Sequence, residues 1–298
     1  MEQPAIGSKK LAESTISIVG LGLMGGSLAL ALKPYVAQLH AVDTNPDTIR
    51  LAEAMELTDK CTNDLGRGVS SADLIVLGTP VRNILEIIRE LPSFRPDGCT
   101  ILDLGSTKRQ ICQEMSRLPS KFAAIGGHPM CGREKSGLPA ATAHLYQGQT
   151  FLLCRNDRTT IMAESLILEL IQTIGAKAVF LTPERHDILV SATSHLPYIV
   201  SSLLMAQASF QAEKDPLAWR VSATGLKDAT RLAGSNPAMM LEILISNRDE
   251  IIRQIDIFQL EMETFKKRLV DRQDVTLLDW LGDVQQQHED YLAQRWPE

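Results

Sequence analysis

A chain of 298 residues that is 44% apolar and 22% charged is long enough for two domains, each burying its own core. Its net charge of −6 argues against a nucleic-acid partner and an anionic membrane surface, so an anionic substrate must be met by locally placed arginine or lysine. Five cysteines, an odd number without a Cys-x-x-Cys, argue against a disulfide framework or structural zinc and fit a reducing cytoplasm. No apolar run is expected to reach membrane-spanning length. Residues 1–14 lack a signal peptide's apolar segment and read as a disordered tail.

The β-branched run Ile16–Val19 predicts a buried strand. It leads into Gly20-x-Gly22-x-x-Gly25 and then an Ala/Leu-rich run suited to a helix. Strand, glycine turn and helix in that order open a dinucleotide-binding unit. Gly20 permits the tight turn, Gly22 lets the backbone approach a pyrophosphate, and Gly25 lets the helix pack on the strand. The helix N-terminus, through Leu23 and Met24, offers free N–H groups to the phosphates. A second apolar run, Leu39–Val42, ends in Asp43, eighteen residues past Gly25. There a carboxylate accepts from ribose hydroxyls and repels a 2′-phosphate, which favours NAD. Thr44 and Arg50 leave NADP open.

Asn45 caps a helix expected over 46–56. A strand over 72–78 ends at Thr79-Pro80, and an amphipathic helix follows over 81–91. A strand over 99–104 runs out at Gly105–Lys108 before a helix over 109–118. A strand over 122–125 ends at Gly126–Pro129. Two more strands, 150–154 and 178–181, flank a helix over 159–174. Strands alternating with helices predict a largely parallel sheet covered on both faces, a dinucleotide-binding domain over 15–182. Ligands bind at the carboxyl ends of such strands. Gly20–Gly25, Thr79-Pro80, Ser106–Lys108 and His128-Pro129 should therefore converge on one crevice.

From Thr182 onward no strand pattern remains. Helices are expected over 183–212, 217–232, 237–271 and 275–293, an all-helical domain over 183–298. In the third, Ile251, Ile255, Phe258, Met262, Phe265 and Leu269 form a heptad seam. A helix of ~34 residues would be ~50 Å long, more than one small domain needs. The seam reads as a subunit interface, with packing inside its own domain as the alternative.

His128 is the leading candidate for chemistry, because an imidazole of near-neutral pKa at a strand end can take a proton from a hydroxyl while hydride leaves the same carbon. The glycines beside it are expected to fold tightly and keep the ring accessible. A His128–Cys131 nucleophile pair has nothing else to support it. Ser106 suits either the nicotinamide or a substrate hydroxyl, or it caps the helix after it. Glu134 can orient a partner or gate entry. Pro197 should kink its helix and turn His195 toward the crevice. Lys227 and Arg231, four apart, are expected to share a helix face where a carboxylate ligand relieves their repulsion.

Taken together, Gly-Leu-Gly-Leu-Met-Gly-Gly-Ser (20–27), Asp-Leu-Gly-Ser-Thr-Lys (103–108), Gly-Gly-His-Pro-Met-Cys-Gly-Arg-Glu-Lys-Ser-Gly (126–137), Ser-His-Leu-Pro (194–197) and Gly-Leu-Lys-Asp-Ala-Thr-Arg (225–231) resemble the prephenate/arogenate dehydrogenase family of tyrosine biosynthesis, in the same order over roughly 15–272. The resemblance implies a Rossmann domain followed by an all-helical dimerisation domain. It also implies NAD-dependent oxidative decarboxylation of prephenate to 4-hydroxyphenylpyruvate, or of arogenate to tyrosine. It assigns His128 to the ring hydroxyl, Ser106 to aligning hydroxyl and cofactor, Arg231 with Lys227 to a substrate carboxylate, and Glu134 and His195 to the surrounding shell. Many members carry a second histidine where Tyr198 stands, so this position should read the substrate differently. With 298 residues the chain is expected to leave no room for the regulatory or mutase domains that some members have. A β-hydroxyacid-type dehydrogenase and a non-enzymatic NAD-sensing dimer remain as other readings.

Overall fold

The structure, a computed structural model, describes residues 9–133 and 135–295. Eight strands form one sheet: β1 (Thr15–Val19), β2 (Gln38–Val42), β3 (Lys60–Thr62), β4 (Leu74–Leu77), β5 (Thr100–Asp103), β6 (Ala123–Pro129), β7 (Thr150–Cys154) and β8 (Lys177–Leu181). Their order is β3-β2-β1-β4-β5-β6-β7-β8. Every pairing is parallel except β6 with β7. The central strands are apolar on both sides because helices cover both faces. Ile16, Ile18, Leu39, Ala41 and Val76 enter one core, and Val19, Val42, Ile75, Leu77 and Ile101 enter the other. Each fully buried aliphatic side chain contributes about 1.5–3 kcal/mol.

The covering helices are α1 (Leu23–Leu32), α2 (Pro46–Ala54), α3 (Leu65–Val69), α4 (Val81–Phe94), α5 (Arg109–Ser116) and α6 (Ile161–Thr173). Asn45 and Thr160 cap α2 and α6 through their side chains, as their residue types suggest. The segment before β1 departs from the expected tail: Leu11–Glu13 form a 3₁₀ turn with Leu11 buried, its N–H donated to Glu169 at 3.1 Å. A single apolar side chain with a core to enter is enough to order it. Residues 1–8 lie outside the described residues. The short strand β3 has no apolar run and was not anticipated; it forms by pairing with β2.

The helices that follow are α7 (Pro183–Val190), α8 (Leu196–Lys214), α9 (Leu217–Val221), α10 (Thr224–Ala229), α11 (Pro237–Ser246), α12 (Arg248–Val270) and α13 (Asp274–Arg295). Four expectations need correction. First, the kink expected at Pro197 is a π-helical turn, Ser191–His195, between α7 and α8. Proline supplies no N–H there, so the local bonding pattern shifts. Second, the stretch 217–232 is broken. Arg231 begins a 3₁₀ turn after α10, so it does not share a regular helix face with Lys227. Third, the long helix over 237–271 stops at Asn247, whose backbone leaves helical geometry while its side chain serves tertiary partners. Fourth, Pro183–Lys214 is by length and composition apolar enough to cross a bilayer, contrary to the run-by-run reading. Within that rod, however, His186, Asp187 and His195 are buried and hydrogen-bonded to other segments of the protein.

The chain divides by internal contacts into two compact units, 1–248 and 249–298. The first therefore extends past the last strand, because α7 packs on α5 and β7. The second holds most of α12 and all of α13, where Phe265 meets Trp280 at 5.4 Å between ring centroids. Ile257, Leu260, Met262 and Leu269 on α12 and Leu278 and Leu281 on α13 remain exposed.

Candidate active site

The four strand ends expected to converge belong to adjacent strands, in the order β1-β4-β5-β6. Gly20 follows β1 with φ +97°, a conformation that favours glycine. A Cβ on Gly25 would stand 1.9 Å from the Gly20 carbonyl oxygen, so only glycine lets α1 approach β1. A Cβ on Gly22 would meet nothing within 4 Å, which leaves open space before the first turn of α1. Among the described residues no side chain caps that turn, which leaves its leading N–H groups for a ligand. Leu23 and Met24 lie half-buried within it. Beside it, after β4, the Thr79 hydroxyl is buried without a hydrogen-bond partner among the described residues, and Pro80 precedes α4. Asp43 accepts the Leu21 N–H at 2.8 Å and the Asn45 N–H at 2.9 Å. It thereby pins the glycine turn, and each carboxylate oxygen keeps a lone pair for another donor. Open glycine, uncapped helix end and carboxylate together fit a dinucleotide.

Next along the sheet, Asp103 ends β5 fully buried. It accepts the Gly105 N–H at 2.8 Å and the Gly127 N–H at 3.0 Å, and it pairs with the fully buried Lys108 ammonium. Burial pushes the Asp103 carboxyl up, against the pull of Lys108 and of the two N–H groups. One carboxylate thus ties the loop carrying Ser106 to the strand carrying His128. The tight fold expected of the glycines before His128 is not found; they pair within β6 against β7. They are needed for close approach, since a Cβ on Gly127 would fall 2.5 Å from the Asp103 carbonyl oxygen.

His128 Nδ1 lies 2.9 Å from His186 Nε2, and His186 Nδ1 lies 2.8 Å from Asp187 Oδ1. Asp187 also accepts the Lys108 N–H at 2.7 Å and the Arg109 N–H at 2.9 Å. It therefore caps α5 from 79 residues away, a task no local residue performs. Burial opposes the Asp187 charge, yet the hydrogen bonds from His186, Arg109 and Lys108 outweigh it and hold the carboxyl below its ordinary range. Burial, reinforced by His186, Lys108 and His195, drives His128 well below the usual imidazole value. Burial likewise lowers His186 and takes His195 to about 4. Asn247 Nδ2 donates to the Asp187 carbonyl at 2.8 Å and lies 3.3 Å from His195 Nδ1. Burial pushes the Cys131 thiol up to about 11, which removes it as a thiolate nucleophile.

Of the other expected residues, Ser106 lies half-buried in the loop after β5, and Tyr198 half-buried in the first turn of α8. Lys227 and Arg231 are exposed, and the turn containing Arg231 is held to α8 by the Ala233 N–H on Ser201 Oγ at 3.2 Å. Glu134 lies outside the described residues. Sequence reasoning missed Asp103 as an organiser, His186, Asp187 and Asn247. A charged residue inside the apolar run 100–104 was a usable signal for Asp103. The pair His186-Asp187 looked like any solvated helix turn.

A doubly wound sheet with an open glycine turn, a histidine at a neighbouring strand end and a helical extension is the architecture of dinucleotide-dependent dehydrogenases. The family model "Prephenate dehydrogenase, nucleotide-binding domain" matches residues 28–180, and "Prephenate dehydrogenase, dimerization domain" matches residues 182–283. The chain belongs to the prephenate dehydrogenase family and is an oxidoreductase. It is 33% identical over 258 residues to a prephenate dehydrogenase of Bacillus subtilis, covering 85% of this chain and 70% of that one. It is 28% identical over 275 residues to a cyclohexadienyl dehydrogenase of Zymomonas mobilis, covering 91% and 93%. Among solved structures, a prephenate dehydrogenase from Aquifex aeolicus in complex with hydroxyphenyl propionate and NAD⁺ superposes with a TM-score of 0.88 at 27% identity, covering 95% of this chain and all of that one. A Synechocystis arogenate dehydrogenase does so with a TM-score of 0.79 at 26% identity, covering 93% and 99%. These relatives support a nicotinamide cofactor.

Proposed function

We propose that this chain is an NAD-dependent prephenate dehydrogenase of tyrosine biosynthesis, working as a homodimer in the cytoplasm, where its free cysteines stay reduced. The observation that carries the reading is His128, partly buried near the end of β6 and kept neutral by its surroundings, so that it is ready to accept a proton. A nicotinamide dinucleotide, with its pyrophosphate held by the glycine turn and its ribose by Asp43, would supply the acceptor for hydride from the hydroxyl-bearing ring carbon. His128 accepts the hydroxyl proton as that carbon becomes a carbonyl. The ring carboxylate then leaves as carbon dioxide, the electron pair of its bond passes through the ring to the carbonyl oxygen, and that oxygen takes a proton back as the aromatic phenol forms. Ser106 aligns the hydroxyl. Arg231, with Lys227, takes a substrate carboxylate, and Glu134, His195 and Tyr198 surround the substrate.

NAD over NADP is supported by Asp43, whose remaining lone pairs suit ribose hydroxyls, and by Arg50, whose guanidinium is taken by Asp47. The exposed apolar faces of α12 and α13 and the dimerisation-type domain support the dimer. Arogenate is the second substrate reading, favoured by Tyr198 in place of a histidine and by the arogenate-dehydrogenase relative. The test follows reduced-cofactor absorbance with prephenate and arogenate, each with NAD and NADP. Turnover is expected with prephenate and NAD; silence in all four mixtures overturns the proposal. Arg231→Ala should raise KM for the substrate and leave kcat within roughly tenfold. An unchanged KM removes the clamp.

A further inference from the structure

The hydrogen bonds behind His128 form a chain in which each proton has one possible place. Asp187 is an ionised carboxylate and can only accept. Its Oδ1 already takes the Lys108 N–H, and its Oδ2 takes the Arg109 N–H, so its position is set by the start of α5. The ring atom 2.8 Å from Oδ1, His186 Nδ1, must therefore carry a hydrogen. With His186 neutral, its Nε2 is a bare lone pair. That lone pair lies 2.9 Å from His128 Nδ1, so Nδ1 of His128 is the donor and carries its ring's hydrogen. Neutral His128 is then left with a bare Nε2, which has no hydrogen-bond partner among the described residues. Free imidazole side chains favour the opposite arrangement. Asn247 anchors the chain from behind by donating to the Asp187 carbonyl.

We propose that His186, backed by Asp187, is a positioning residue that holds His128 in the Nδ1–H form and so leaves Nε2 as the atom that takes the substrate proton. The inference rests on the reading of His128 as the proton acceptor. In the step, the substrate O–H bond breaks and an Nε2–H bond forms on His128. The oxygen's electron pair becomes the carbonyl bond as hydride leaves for the oxidised nicotinamide that the proposed reaction employs. The resulting imidazolium keeps its Nδ1–H bond to His186, whose other nitrogen stays on the Asp187 carboxylate, so no proton crosses the chain.

The experiment combines ¹⁵N spectra of histidine-labelled protein, with His128 assigned by comparison with His128→Asn, and steady-state kinetics of His186→Leu and His186→Gln. Glutamine can place an acceptor oxygen near the Nε2 position; leucine cannot. In the wild type, His128 should show a protonated Nδ1 and a bare Nε2. His186→Leu should shift His128 to the Nε2–H form and lower kcat by roughly a hundredfold with dinucleotide affinity unchanged. His186→Gln should recover most of that loss. A wild-type His128 protonated on Nε2, equal loss in both variants, or full activity in His186→Leu overturns the proposal. The wild-type spectrum decides alone if the variants do not fold. Absence of turnover in the wild type would instead sink the assigned reaction and leave the tautomer result standing.

Discussion

Neutralising Asp103 tests whether one buried carboxylate holds the site together. In Asp103→Asn the amide has a single acceptor oxygen for three donors: the Gly105 N–H, the Gly127 N–H and the Lys108 ammonium. With that oxygen toward Gly105 and Lys108, the amide NH₂ faces the Gly127 N–H, donor against donor. Rotated, it keeps Gly127 and abandons the other two. Either way a buried donor is orphaned, which costs about 1–3 kcal/mol. Lys108 also keeps a buried charge without its counter-charge, and breaking a buried pair from one side costs about 3–5 kcal/mol. The two costs overlap, so a loss of about 3–5 kcal/mol is expected in all. Urea unfolding followed by circular dichroism, at fixed protein concentration, measures it. Lys108→Met in the Asp103→Asn background removes the stranded charge, and the double variant should be more stable than Asp103→Asn alone. A loss under about 1 kcal/mol, or strictly additive effects in the double variant, refutes the account of Asp103 as the tie between β5 and β6.

Gly25→Ala places a methyl group 1.9 Å from the Gly20 carbonyl oxygen, so α1 must move off β1, and dinucleotide affinity should weaken at least roughly tenfold, about 1.4 kcal/mol, by calorimetry. An unchanged Kd would show that the turn is not the cofactor site. His128→Asn should lower kcat by about 10²–10⁴-fold while dinucleotide affinity holds, and equal turnover removes His128 from the mechanism. The pH dependence of stability follows from four imidazoles, His40, His128, His186 and His195, all held below their ordinary value, chiefly by burial. Below about pH 6.5 the unfolded chain takes up protons that the native rings refuse, so stability should fall as pH drops from there toward about 5 and stay flat above about 7. Asp103, raised by burial, works in the opposite direction, but one carboxyl faces four rings. A urea midpoint that rises on acidification from about pH 7 to 5 contradicts the assignment of neutral buried histidines.

The order of strands and helices, the glycine turn and the carboxylate after β2 could be read from sequence because each rests on local chemistry. Apolar runs, a glycine at positive φ and a capping asparagine act over a few residues. His128 and Ser106 could be singled out because strand ends follow from the same patterns. The break at Asn247, the ordering of Leu11 and the pairing that makes β3 could not, since each is caused by a partner far along the chain. So is the chain behind His128. Asp187 reaches α5 across 79 residues, Asn247 reaches Asp187 across 60, and His128 reaches His186 across 58. The sequence by itself determined most of the elements and singled out His128 as the candidate proton acceptor. Only the tertiary structure decided which groups stand against each nitrogen of His128, because a histidine's hydrogen-bond partners are set by what lies 3 Å away in space and not by any neighbour along the chain.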